Sequence, residues 1–553
     1  MPFEYGTAGA RPWAKALTLA GALLAAACSQ PKPTGVIQPR AAGETRPNVL
    51  VLVADHLGPQ IGAYGDKAAV TPNIDRLARE GVTFTNAYGA SGSEDAQTAA
   101  LLTGAHPSTI GVVQEWTGAP DWTVAPPPEV KSFPELLRMA GWHTFHIGSR
   151  PDPFGSPASL WVEDVRTPGA SWVEGAIGQP FLGVIDLAVE PAAAAPRKKG
   201  LLETLQFWKG KGGKPQASPI DAARIAVPAY LPDTPEVRAG LKAEYDRVHR
   251  LDARVGEILA RLEKAGALKD TVVIFTAKTG PARPRAERTV YDAGARVPLI
   301  VRWPDGRAKG AVRRDLVSGV DLAPSILKLA GRQPLAWVQG RDRLSPGAET
   351  ARYVFTVQNR VDGAYERSFA VRDGRWLYVL NLALDTPLSA VSPSGALTEA
   401  VAKANAAGRL TPAQAQLFAR ERPEAELYDL QSDPDQLRNL ARDPARSAEV
   451  ARLAEALNLF AGAAPDYSVR SAQELADLFR PGGQTPMAMQ PAGSLQGGRW
   501  VLSTITPGAA ILWRAKAGEP WRIYTGPISA TGPLEAKAVR YGFRESPVAT
   551  LKR

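Results

Sequence analysis

The sequence predicts an α/β fold in which a mostly parallel sheet carries helices on both faces. Three observations predict it. Continuous apolar runs of strand length recur at Asn48 to Ala54, Thr271 to Thr276 and Val297 to Arg302, and runs without polar alternation suit strands buried on both faces. Helical patterns separate such runs, the longest from Pro235 to Lys264, which is the alternation of a layered α/β architecture. After Arg480 the chain turns to Gly, Pro, Trp and β-branched residues in short runs, the signature of a small β-sandwich added at the end.

Composition narrows the class further. The chain has 553 residues, is 44% hydrophobic and carries a formal charge of +10, which allows roughly two to four globular domains. The basic balance favours anionic partners. Nucleic acid is not expected among them, because the N-terminus reads as an export signal and no basic helix or RNP-like aromatic pattern occurs. Arg11 and Lys15 precede the apolar run 16–27, which ends in LLAAAC. That is a signal peptide, too short to span a bilayer as a mature helix. Cys28, the single cysteine, stands where a bacterial lipobox places its lipidated residue, although Ala25 replaces the commoner Leu. The alternative is a signal peptide cut nearby, with Cys28 incidental. One cysteine also excludes an intrachain disulfide.

The expected organisation is a signal peptide over 1–27, a Pro- and Gly-rich lipoprotein tether over 28–46, an α/β core over 47–350, a subdomain over 351–465 and the β-sandwich module over 466–553. Asn48 to Ala54 ends in Asp55 and His56, where chemistry gathers in open α/β sheets. Thr71 and Pro72 start a helix. The stretch Asn86 to Gly104 opens another, Phe133 to Ala140 a short one, and His143 to Ile147 and Phe181 to Leu187 are strands. Residues 197–214 concentrate Arg197, Lys198, Lys199, Lys209, Lys211 and Lys214 in a loop-like segment, read as a solvated surface or as a contact to anionic glycan or lipopolysaccharide. Tyr353 to Leu380 holds the short strands of a second sheet. Helices follow at Thr398 to Ala407, Pro412 to Arg420 and Ala448 to Ala461. The last strands are Arg499 to Thr504, Ala510 to Arg514, Trp521 to Tyr524 and Glu535 to Arg540.

Many fragments in order, among them RPNVLVLVADHLG, TPNIDRLAREGVTFTNAY, LLTGAHPSTIGV, TVVIFT, RTVYDAGARVPLIVRWP and LYDLQSDPDQLRNLA, resemble the sulfatase family within the alkaline phosphatase superfamily, on its heparan N-sulfatase-like and arylsulfatase-like branch. The tail is similar to the C-terminal domain of chitobiases. The resemblance implies an alkaline-phosphatase-like fold. It also implies a site with a divalent cation, usually calcium, a formylglycine nucleophile made from Cys or Ser, and Lys, Arg and His groups that offset sulfate charge.

Those positions are replaced here. The family motif C/S-x-P-S-R precedes LLTG, and counting from either flank without a gap puts Glu94 at the nucleophile, with Ala96, Gln97 and Thr98 at the Pro, Ser and Arg positions. Glu94 cannot become formylglycine. Of the metal ligands the resemblance implies, only Asp55 survives. His56 stands at a second aspartate position, and Lys278 and Thr279 stand at the two ligand positions after TVVIFT. An ammonium has no lone pair to donate, and calcium takes about six to eight oxygens, so the calcium is predicted to be lost and no other cofactor is expected. Ser149 and Glu287 occupy the lysine positions, Pro151 a histidine position, and Glu190-Pro191-Ala192 a D-P-H segment.

Two readings follow. In the first, the chain is a sulfatase-shaped lipoprotein of the periplasm or outer membrane that has lost ester hydrolysis and binds or scaffolds. Its partner is an anionic glycan or an envelope protein, and its membrane contact is the lipid anchor. The inner site then holds Asp55, His56, Glu94, Lys278 and Glu287, with Lys278 taking over part of the metal's charge beside Asp55 or Glu94. In the second, a sulfatase- or phosphatase-type hydrolase works with a non-standard nucleophile, Ser91 or Ser93, or with His56 and Glu94 as an acid–base pair. His106, His143, His146 and His249 are expected to be structural.

Overall fold

The apolar run Asn48–Ala54 (β1) lies at the centre of an eight-stranded sheet, buried along almost its whole length. The computed structural model describes residues 46–115, 122–148, 152–155, 157–165, 180–188, 218–530 and 532–552. Cys28, the signal sequence, Ser149, Pro151, Glu190-Pro191-Ala192 and the basic stretch 197–214 lie outside the described residues. Pro72–Glu80 (α1) starts on a proline and buries Ile74, Leu77 and Ala78 against the sheet. Val82–Tyr88 (β2) leads into Glu94–Thr103 (α2), whose two ends are set by Ser93 and by Gly104 in the left-handed region at φ +71. A glycine supplies that conformation without strain.

Gln114–Glu115 (β3), Phe133–Met139 (α3), His143–Ile147 (β4), Glu163–Val165 (β5) and Phe181–Leu187 (β6) come next. The 30-residue helix Pro235–Lys264 (α4) is capped by the Thr234 side chain and buries one apolar stripe, including Leu241, Val248 and Val255. Thr271–Ala277 (β7), Asp292–Ala295 (α5), Arg296–Arg302 (β8), Ala311–Ser318 (β9) and Leu322–Leu329 (α6) complete the core. The strand order is β5-β4-β6-β1-β7-β8-β2-β9. Pairings are parallel except where β8 meets β7 and β2. The reversal follows from the compact segment between β7 and β8, which turns the chain back without a crossover helix.

A five-stranded sheet, β13-β12-β11-β10-β3, is built from Val354–Val361 (β10), Ala364–Arg372 (β11), Trp376–Asn381 (β12) and, after Ala396–Ala406 (α7) and Pro412–Ala415 (α8), Ala425–Asp429 (β13). β3 belongs to this sheet and ties it to the core. The expected helix from Pro412 to Arg420 is one turn of α-helix with a 3₁₀ turn to Phe418. Ser447–Gly462 (α9) and Ala472–Phe479 (α10) lead to the ribbon Ala492–Gln496 (β14) with Arg499–Ser503 (β15). The last sheet orders Arg522–Ile523 (β17), Ala510–Arg514 (β16), Leu534–Val539 (β18) and Ala549–Leu551 (β19).

The described residues form one compact unit. The C-terminal sheets share a cluster of Trp500, Leu502, Ile511, Ile528, Leu534 and Ala536, yet Tyr541 leaves that cluster and enters the main core. It is 1% exposed, stacks on Phe154 at 5.2 Å and hydrogen-bonds Ser132. No described helix is long and apolar enough to cross a membrane.

Candidate functional site

Strand register assembles the site. Ala54 pairs with Ala277 and Val53 with Asp186, so Asp55 and Lys278 leave their strands side by side, two residues beyond the level of Asp186. The Lys278 ammonium lies 2.9 Å from Asp55 Oδ1 and 3.3 Å from Asp186 Oδ2, and the residue is 6% exposed. Burial works against its charge, but Asp186 and Asp55 outweigh that and hold its pKa well above 10.5. In return, burial opposes the Asp186 charge while Lys278 draws its pKa down to about 2. The expected partner Asp55 is therefore met, Glu94 acts on the ammonium through its charge, and Asp186 enters as an acid that the sequence reading missed.

Glu94 opens α2 and is 5% exposed, not a solvated loop residue. Its Oε1 lies 3.6 Å from His56 Nε2, and His56 Nδ1 lies 3.2 Å from Glu287 Oε2. His56 adopts φ +54, uncommon for a non-glycine residue, and its carbonyl accepts from Arg247 at 3.1 Å. That backbone turn sends the imidazole between the two carboxylates. Burial lowers the tendency of His56 to charge, and Glu287 reverses this, raising the pKa to about 9. The Glu94 carboxyl is pushed up by burial against the pull of His56, whereas His56 draws Glu287 below the usual range despite its burial. Beyond Glu287, Arg288 pairs with buried Glu115 at 2.9 Å.

The other predicted positions resolve individually. Thr98 lines the space beside Glu94, His146, Trp161 and Lys278. Gln97, at the motif's serine position, accepts from the Ala90 amide at 2.7 Å and is fully buried. A β-carbon on Gly319 would overlap its amide, so Gln97 works as a packing element. Thr279 is buried, its carbonyl accepts from the Leu57 amide at 2.9 Å, and its hydroxyl has no hydrogen-bond partner among the described residues. Ser93 is bonded to Gln358 and Ser91 accepts the Ser93 amide, both at 4% exposure or less. Among the described residues neither hydroxyl is hydrogen-bonded to a histidine, lysine or carboxylate.

Of the histidines expected to be structural, His106 packs edge-on against Phe460 at 4.6 Å, and burial lowers its pKa to about 4. His143 faces Glu163, and His249 bonds the Val70 carbonyl. His146 is the exception. It lies 2.9 Å from Asp164 and 3.5 Å from Asp186 and stacks on Trp161. Although burial opposes its charge, its bonds to Asp164 and Asp186 raise its pKa to about 9. Asp55, Lys278, Asp186, His146 and Asp164 thus form one chain of alternating charge. No sequence signal marks it, because Asp186 sits inside an apolar strand and Asp164 in a segment without periodicity.

A calcium ion does not fit this arrangement. The ammonium already sits against both carboxylates, and among the described residues no three His, Cys, Asp or Glu side chains are grouped as metal ligands. The site can hold charge, orient an imidazolium and donate or accept protons at His56 and Glu94.

A family model described as Sulfatase matches residues 47–153 and 211–332. An ulvan-active sulfatase of Formosa agariphila is 30% identical over 541 residues, covering 91% of this chain and 90% of that protein. Human N-sulphoglucosamine sulphohydrolase is 29% identical over 442 residues, covering 72% of this chain and 86% of that one. Among solved structures, a 2-O GAG sulfatase superposes with a TM-score of 0.55 at 20% identity, over 77% of this chain and 94% of its own. A phosphonate monoester hydrolase from Silicibacter pomeroyi gives 0.53 at 17% identity, over 77% and 97%. These two show a shared fold alone.

Proposed function

The chain belongs to the sulfatase family, and from that premise we propose that it no longer hydrolyses sulfate esters by the family's route and acts as a lipid-anchored glycan-binding protein of the cell envelope. The observation that carries this reading is the Lys278 ammonium held 2.9 Å from Asp55 and 3.3 Å from Asp186. A fixed cation there neutralises the acids that a divalent ion would need, and removing it would leave buried charges unpaired. Glu94 in place of a formylglycine precursor removes the nucleophile as well. The glycan assignment draws on the family and on the human relative's name, which refers to N-sulphoglucosamine. Cys28 as the lipidated residue rests on its place after the apolar run 16–27. The test is a panel of sulfate and phosphate esters with purified protein, with and without calcium. The expected result is no turnover above an Asp55→Ala control in either condition. Calcium-dependent turnover that this substitution abolishes overturns the reading.

One observation favours a second reading. His56 has a buried orienting carboxylate, Glu287, on one ring nitrogen and Glu94 on the other, the arrangement of a general acid backed by an anion. On this reading metal-free turnover in the ester panel survives calcium chelation and falls in both His56→Gln and Glu94→Gln.

A further inference from the structure

A second cleft opens at the same end of the sheet, where the large and small sheets meet. Its cavity volume is about 360 Å³, against about 50 Å³ beside Glu94. The two share one wall. After Lys278 the chain folds tightly, with the Gly280 amide bonded to the Gly294 carbonyl at 2.8 Å. Glu287 and Arg288 from this segment face the inner site, and Arg283 and Arg285 line the second cleft. Arg285 and Arg288 both hold positive φ, 61 and 64, a costly conformation for non-glycine residues that persists where the surroundings enforce it.

The polar groups of this cleft are unevenly satisfied. Arg283 pairs with Glu244 at 3.3 Å, and Asp292 pairs with Arg372. Arg285 donates to the carbonyls of Asp435 and Gln436 and lies over Tyr291 and Tyr230. Arg296 donates twice to the Thr85 carbonyl, at 3.0 and 2.8 Å. Among the described residues neither Arg285 nor Arg296 has a carboxylate partner within ion-pair distance. Two acids also face the cleft with no cationic partner among the described residues. Asp66 accepts from the Tyr245 hydroxyl and the Ala68 and Ala69 amides, and Asp435 accepts from the Ala229 amide. Asn86 and Gln431 add amide groups at the rim.

A simple anion would meet the guanidinium charges but also the two acids. A neutral polyol would use the acids but leave the guanidinium charges unmatched. We propose that the cleft binds a polyhydroxylated anion, a sugar residue bearing a carboxylate or sulfate, with its anionic group toward Arg296 and Arg285 and its hydroxyls toward Asp66 and Asp435. Their guanidinium charges, not offset by a carboxylate partner among the described residues, favour an oxyanion beside them. This inference rests on the glycan part of the proposed function and assigns the ligand to the outer cleft instead of the inner site.

The test is calorimetric titration of the full chain with four probes: a heparin-derived hexasaccharide carrying sulfate and carboxylate, an oligogalacturonate carrying carboxylate only, neutral maltohexaose, and inorganic sulfate. At least one charged oligosaccharide should bind more than tenfold tighter than maltohexaose and inorganic sulfate. Arg296→Gln should weaken that binding at least tenfold. Gln431→Glu, an exposed rim change that adds a negative charge without touching the fold, should weaken it as well. Glu94→Gln should leave it unchanged. Equal binding of maltohexaose, absence of binding by both charged oligosaccharides, or binding indifferent to both cleft substitutions overturns the proposal. Binding lost in Glu94→Gln but retained in Arg296→Gln moves the ligand to the inner site and overturns the cleft assignment while leaving a glycan role standing.

Discussion

Lys278 is the residue on which the inner site's electrostatics depend. Its ammonium neutralises two carboxylates that would otherwise be buried together. Breaking a buried pair by removing one partner costs about 3–5 kcal/mol, so Lys278→Ala should lower the melting temperature by several degrees, read by calorimetry. Asp186→Asn should partly restore stability in that background, because it removes one of the orphaned charges. His56 makes a second prediction. Its pKa is raised from 6.5 to about 9 in the fold, so its ion pair with Glu287 stabilises fully below pH 6.5 and is lost as pH rises through about 9. His146 is raised in the same direction. Unfolding free energy should therefore fall between pH 6.5 and 9, and His56→Gln should flatten that fall. A slope unchanged in the variant would remove His56 from the charge network. Residue identity made Glu94, Lys278 and Glu287 visible in the sequence, because their flanks fix the register. Asp186, Asp164 and His146 were not visible, since their meeting depends on which strands become neighbours.

At the scale of elements, local pattern and tertiary pairing divide the outcome. The buried strands β1, β6 and β7 and the long helix α4 follow directly from apolar runs and from helical periodicity with caps. β2 and β9 escape that logic because VTFTNAY and AVRRDLVS mix polar and apolar residues instead of forming one continuous apolar run, and the antiparallel setting of β8 depends on its compact connection to β7. Helix α2 shows what local pattern hides. Its buried Gln97 holds the Ala90 amide and fits only because position 319 is glycine. Gly319→Ala should displace Gln97, loosen the N-terminus of α2 and cost about 1–3 kcal/mol as an overpacking change. Hydrogen exchange at the Ala90 amide reports it directly, and protection equal to that of the unmodified protein would show the packing to be slack.

For the whole molecule, the C-terminal sheets are bound into the body of the protein. Tyr541 fills a core site beside Phe154, and Arg540 bonds the carbonyls of Pro126 and Pro507. These contacts hold the segment that carries α3 and leads to His146 and Trp161. Tyr541→Ala should cost about 3–5 kcal/mol, as for other large aromatic truncations, and should make the chain cleavable by protease between α10 and β14. Protease resistance equal to that of the unmodified protein would show that other contacts suffice. The fold as a whole was legible because the family fragments run in order along most of the chain. The docking of the tail was not, because single residues such as Tyr541 carry it. On the proposed reading, the Lys278 ammonium stands in for a divalent cation in a sulfatase fold. Calcium titration of the purified chain by isothermal calorimetry tests this most directly. The unmodified protein should show no saturable binding, whereas saturable binding that disappears in Asp55→Ala would refute this replacement of the cation.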